Sequence, residues 1–224
     1  MIIRIALPLL IAALAWSAPI SPVSYSMLNG QGNANGGTFN YWDETYSGVG
    51  NPFADSSPLS GGLGQLTDGI VSCSDDWAAN CGEGPAYRWV GWQSIDPVIT
   101  FDFGDVRQFT NIGIHTNNFV SGGVSLWASA LFRFSNDGIV FGDDLLRLST
   151  TGERADTTAR FLNTPLERSG RYVQISLTDG NGPWVFVSEI AFEGLQDEVV
   201  PEPSTFLLAG AAIALAALFN RRRR

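Results

Sequence analysis

The residues of this chain whose types and spacing suit chemistry are mostly aromatic and amide side chains. The sequence holds 7 Trp and 1 His in 224 residues. Trp127 and Trp184 lie beside Gly-rich turns, and His115, Asn117 and Asn118 leave an apolar alternation together. A sugar ring stacks its apolar C–H face on an exposed aromatic while polar side chains fix its hydroxyls. These five residues are therefore candidates for a shallow glycan site, whereas Trp89 and Trp92 are expected to pack in a core.

Hydrolytic chemistry has less to work with. Paired acids occur at Asp75-Asp76 and Asp143-Asp144, and two carboxylates are what a glycosidase needs. Adjacent acids in Gly-rich turns are, however, the ordinary composition of a solvated surface. No activated-serine motif is present, and no phosphate-cradling Gly loop precedes a helix. The reading is non-enzymatic. Cys73 and Cys81 are the only cysteines. In an exported chain they read as a disulfide closing a small loop, and a single histidine is too little to complete a zinc site with them.

The elements that must position these groups are strands. Ile99, Phe101 and Phe103 alternate with polar residues, as do Ile112 with Ile114, Phe132 with Phe134, Val173 with Ile175 and Leu177, and Ile190 with Phe192; each pattern places one face inward. Gly104-Asp105, Ser121-Gly122-Gly123, Asn136-Asp137-Gly138, Gly142-Asp143-Asp144 and Asp179-Gly180-Asn181-Gly182 read as the turns between them. With no amphipathic helix, this predicts an all-β fold, a β-sandwich. The stretch from Asn29 to Gly64 is rich in Gly, Asn and Ser and predicts loop, with one strand around Thr38 to Trp42.

Both ends of the chain are apolar. Arg4 precedes the apolar stretch Ile5 to Trp16, and Ala15 and Ser17 put small residues where a signal peptidase reads. Cleavage is expected near Ser17, the alternative being an uncleaved anchor. At the other end a Val-Pro-Glu-Pro-Ser-Thr stretch leads to an uncharged run from Phe206 to Phe219 and then to Arg221, Arg222, Arg223 and Arg224. As a helix the run spans roughly 21 Å against a hydrocarbon core of roughly 30 Å. Snorkelling arginines extend that reach and favour a cytoplasmic C-terminus.

Pro201-Glu202-Pro203, the apolar run and the terminal arginines together resemble the PEP-CTERM sorting signal of Gram-negative bacteria that make exopolysaccharide. The resemblance implies recognition by an exosortase, removal of the helix, and delivery from the inner membrane to the cell surface or extracellular matrix. The remaining body is strongly acidic. Acids outnumber bases 22 to 13, every base is Arg, and five of these lie in the signal and the tail. This argues against nucleic acid or anionic lipid as partner and is compatible with a divalent cation.

Leu66-Thr67-Asp68-Gly69, Trp89-Val90-Gly91-Trp92, Pro97 to Gly104, Ile112-Gly113-Ile114-His115, Phe134 to Gly138, Gly170 to Ile175 and Ser188 to Phe192 follow one another in an order that resembles discoidin, or coagulation-factor type C, domains. The resemblance implies a jelly-roll sandwich of the galactose-binding type, many of whose members bind glycans or lipid headgroups through loops at one end. It also implies a structural Ca2+ held by Asp68, Glu189 and backbone carbonyls, a donor set suited to a hard ion. The alternatives are a turn residue at Asp68 and a solvated strand-end charge at Glu189. The loop Cys73 to Cys81 departs from the family pattern, in which a Thr-x-Trp element soon follows the Asp-Gly turn. The expected layout is a signal peptide over 1–17, a Gly/Asn/Ser-rich N-terminal part of the sandwich over 18–65, the discoidin-like part over 66–194, a linker with the Pro-Glu-Pro motif over 195–205, a transmembrane helix over 206–219 and a cytoplasmic Arg cluster over 220–224. Expected partners are the two processing enzymes, signal peptidase and exosortase, the membrane before processing, and a glycan or exopolysaccharide.

Overall fold

The computed structural model describes residues 16–32, 40–73, 88–178, 180 and 182–195. Ser17–Leu195 form one compact unit. The expected signal segment up to residue 15, Cys81, Pro201, Glu202, Pro203, the apolar run 206–219 and Arg221 to Arg224 lie outside the described residues. Among the described residues no helix is long and apolar enough to cross a membrane.

The alternations read in the sequence become strands. In chain order these are β1 (Ser17–Ile20), β2 (Ser24–Leu28), β3 (Pro58–Gly62), β4 (Val90–Gln93), β5 (Val98–Thr116), β6 (Ser129–Ser135), β7 (Gly142–Leu148), β8 (Arg160–Thr178) and β9 (Trp184–Leu195). All their pairings are antiparallel. The two 19-residue strands, β5 and β8, organise the rest. The first part of β5 pairs with β2 through Thr100 to Asp102, and its second part pairs with β9 from Phe109 to Thr116. β8 follows β5 throughout, and its last part also pairs with β6, which carries β7 on its far edge. One continuous sheet thus curls into the two layers of a jelly-roll β-sandwich, with β5 and β8 shared between them.

The bend falls where the register of β5 slips against β8, between Asp102 and Arg107. Gly104 takes φ 78° there, a left-handed conformation that costs a side-chain-bearing residue about 1–2 kcal/mol. Its N–H donates to Asp102 Oδ1 at 2.7 Å, and Arg171 grips both oxygens of Asp102 at 2.8 Å. Phe101 and Phe103 from one side of the bend meet Phe192 of β9 edge-on, with ring centroids 4.9 and 5.0 Å apart. Such contacts tie the layers through a cluster of aromatic rings. A second cluster, Tyr41, Trp89, Val124, Trp184 and Phe186, covers the other face of β4 and β9. That is why β9 is buried without interruption from Trp184 to Ile190.

Three local readings are corrected. Gly104-Asp105 bends a continuous strand rather than ending one. Gly142-Asp143-Asp144 opens β7 instead of forming a turn. The strand of the N-terminal stretch is Pro58–Gly62, and residues 40–42, the described part of the expected strand, are not in a strand. The strand-and-turn pattern is also broken by a helix, α1 (Thr151–Ala155), held by a capping box: Thr150 accepts from the Glu153 N–H, and Glu153 accepts in return from the Thr150 N–H.

Candidate functional site

Asp68 and Glu189, far apart in sequence, come together beside the middle of β9. A short 3-10 turn, Gln65–Thr67, delivers the chain to Asp68, and Gly69 follows at φ 79°. The Gly69 N–H donates to Glu189 Oε2 at 3.2 Å, and the Ile70 N–H to Asp68 Oδ1 at 2.9 Å. Asp68 Oδ2 pairs with Arg88 Nη1 at 3.2 Å. Glu189 is only 6% exposed, so it is no solvated strand-end charge. Burial, reinforced by the neighbouring Asp68 charge, pushes its carboxyl up to about 8. Burial also raises Asp68, against the pull of Ile70 and Arg88.

A third acid belongs to this cluster. Asp43 is fully buried, accepts from the Gln65 N–H at 2.8 Å and from the Tyr25 hydroxyl, and is pushed up to about 6 by burial, with Asp68 adding to the rise. Nothing local in the sequence announces it, since Asp43 sits in a Gly- and Asn-rich stretch without alternation. Arg88 went unnoticed for the same reason.

Among the described residues no group of three or more His, Cys, Asp or Glu side chains is arranged as a metal cluster. Asp68 and Glu189 nonetheless fit the anchor ligands of a hard dication, because burial and the Asp68 charge both oppose ionisation of Glu189 and a bound cation would relieve that cost. Arg88 supplies the counter-charge to Asp68 meanwhile.

The five glycan-contact candidates lie inside the fold. Trp127 is fully buried in the main core with Arg147 over its ring at 5.0 Å, and Trp184, 8% exposed, packs edge-on against Tyr41 and Phe186. Asn118 donates to the carbonyls of Arg154 and Asp156 and accepts from the Leu126 N–H, holding α1 and the segment before Trp127 together. His115 stacks on Trp89 at 5.5 Å and shares a 2.6 Å hydrogen bond with Ser188. Asn117 is fully buried. An exposed platform built on Trp127 and Trp184 is thereby ruled out: their position beside Gly-rich turns marked tight packing, not exposure. Trp89 and Trp92 are buried as expected.

Cys73 is described and Cys81 is not; among the described residues no cysteine is free. Away from the acids, a concavity of about 530 Å3 is lined by Gln108, Thr110, Glu167, Arg168 and Leu195. Arg168 and Asp143, both on its lining, form a 3.0 Å ion pair.

The curled sheet and its Asp-Gly turn define a discoidin-class sandwich. Residues 22–194 match the family described as "Discoidin domain-containing receptor 1/2, DS-like domain", and the chain belongs to that family. Residues 199–224 match the PEP-CTERM protein-sorting motif, which marks an exported protein. Discoidin domain-containing receptor tyrosine kinase B of Caenorhabditis elegans is 29% identical over 182 residues, 76% of this chain and 22% of that protein. Epithelial discoidin domain-containing receptor 1 of Mus musculus is 30% identical over 172 residues, 73% of this chain and 18% of the receptor. The chain therefore spans about a fifth of the length of these relatives. A solved structure, "Truncated AlyQ with CBM32 and alginate lyase domains", is similar over 83% of this chain and 35% of its own, at 13% identity and a TM-score of 0.47.

Proposed function

We propose that the protein is a non-catalytic carbohydrate-binding module, displayed at the cell surface or in the exopolysaccharide matrix after exosortase removes its C-terminal helix. The observation that carries this is the joining of a discoidin-family domain, residues 22–194, to a sorting motif, residues 199–224, in one chain. The motif directs the domain to where extracellular polysaccharide is found. The net charge of −9 turns the choice between the ligands such domains take toward glycans and away from anionic headgroups. Before processing, the apolar run 206–219 holds the precursor in the inner membrane with Arg221 to Arg224 on the cytoplasmic side. Cys73 and Cys81 close the loop between Asp68 and Trp89 as a disulfide. Ca2+ is held by Asp68 and Glu189 together with backbone carbonyls, and it shapes the Asp-Gly turn rather than taking part in a reaction.

The test is a glycan array probed with the purified protein, with calcium and with chelator. Saturable binding is the expected result, and its loss on chelation would tie the calcium site to the binding surface. A folded protein that binds nothing on the array would leave a structural matrix role without a ligand in its place.

A further inference from the structure

Among the described residues, a pair of aromatic rings stands at the surface of the N-terminal stretch. Phe53 is 58% exposed, and its ring stands edge-on to the half-buried Trp42, with centroids 6.5 Å apart and planes at 87°. The pair is held from below. Asn29, fully buried, accepts from the Asp43 N–H at 2.8 Å through its carbonyl oxygen and donates through its amide to the carbonyl of Pro52 at 3.0 Å. One side chain thus clamps the residue after Trp42 to the residue before Phe53. Asp55 Oδ1 accepts from Trp42 Nε1 and from the Gly32 N–H, each at 2.7 Å, and so fixes the indole. Gly32 lies directly under that ring, where any Cβ would collide with it. Asp55 Oδ2 has no partner among the described residues.

We propose that Trp42, Phe53 and Asp55 form a sugar-binding subsite for a neutral or amino pyranose, the ring stacking on the aromatics and a hydroxyl or ammonium donating to Asp55 Oδ2. The subsite rests on the carbohydrate-binding reading given above and specifies where it operates. A fixed indole beside a second exposed ring offers apolar area at little cost in side-chain ordering. Asp55 is in none of the ion pairs among the described residues, so its charge faces the ligand and disfavours uronates, as does the charge of the whole chain.

The full chain, purified in detergent, is titrated with galactan, xylan, chitooligosaccharide and polygalacturonate while intrinsic fluorescence is followed. Binding of a neutral or amino glycan, weakened roughly tenfold or more by Trp42→Ala and by Phe53→Ala and stripped of its fluorescence change by Trp42→Phe, supports the subsite. Phe53 is exposed, so Phe53→Ala keeps the fold even if Trp42→Ala does not. Unchanged affinity in Phe53→Ala together with a fluorescence change that persists in Trp42→Phe, with the wild type binding, overturns the subsite and leaves the carbohydrate reading standing. Preference for polygalacturonate overturns the ligand class. A folded wild type that binds none of the four overturns the carbohydrate reading and the subsite with it.

Discussion

Glu189 is a buried acid whose ionisation the fold opposes. Its carboxyl titrates near 4.5 in the unfolded chain and about 8 in the folded one, so the folded state holds the proton more tightly. Stability is then greatest below the unfolded value and is lost as the pH rises through 8. Asp43 acts in the same direction between 3.8 and about 6. Asp102, held low by its hydrogen bonds with Arg171, works oppositely and withdraws stability as the pH falls below its unfolded value. In chelator the melting temperature should therefore decline from pH 5 to pH 8.5. Glu189→Gln should flatten most of that slope, and saturating calcium should raise the wild type more at pH 8 than at pH 5. A slope unaltered in Glu189→Gln would show that the decline comes from elsewhere. That Asp68 and Glu189 would meet was legible through the family pattern. The third acid was not, because burial of Asp43 is decided by the Tyr25 hydroxyl and the Gln65 N–H, partners that no local pattern reveals.

At the scale of elements, the alternations located β5, β6, β8 and β9 correctly, since period-2 burial is local information. What they missed was continuity. Gly104 with φ above zero serves a strand end or a bend inside a strand equally well, and only the pairing with β8 decides between them. Gly104→Ala should cost about 1–2 kcal/mol, seen as a lower denaturation midpoint with an unchanged slope. Asp102→Ala, which strips Arg171 of its partner and frees the Gly104 N–H, should lower the melting temperature and leave glycan affinity intact. The burial of Trp127 and Trp184 has a related cause. A Gly-rich turn beside Trp184 lets other backbone pack against the ring, so small neighbours signalled enclosure. In contrast, the half-buried Trp42 and the exposed Phe53 lie in a stretch whose only visible trait was flexibility of composition. Asn29, buried among those residues, ties Asp43 to Pro52 and so fixes the two aromatics relative to each other. Asn29→Ala should leave the sandwich folded yet loosen both loops, raising protease cleavage within residues 40–57.

For the whole molecule, destination and fold are separable properties. Removal of Pro201 to Arg224 should abolish surface delivery, measured by fractionation of the producing cells, while the truncated protein keeps the melting transition of the complete domain. Loss of that transition would mean the tail contributes to folding. The unit Ser17–Leu195 contains every strand described, and β1 seals the outer edge of β9 by pairing Ser17 with Leu195 through to Ile20 with Phe192. β9 also runs from Trp184, beside β4, to the residue that leads into the tail. A polysaccharide gripped at Trp42 and Phe53 would pull on one end of this strand, through Gly91 of β4 and its neighbours, and a tether at Leu195 would pull on the other. Force passing from β4 to β9 would load their antiparallel ladder, Val90 with Val187 through to Gln93 with Trp184, in shear, all rungs at once rather than singly.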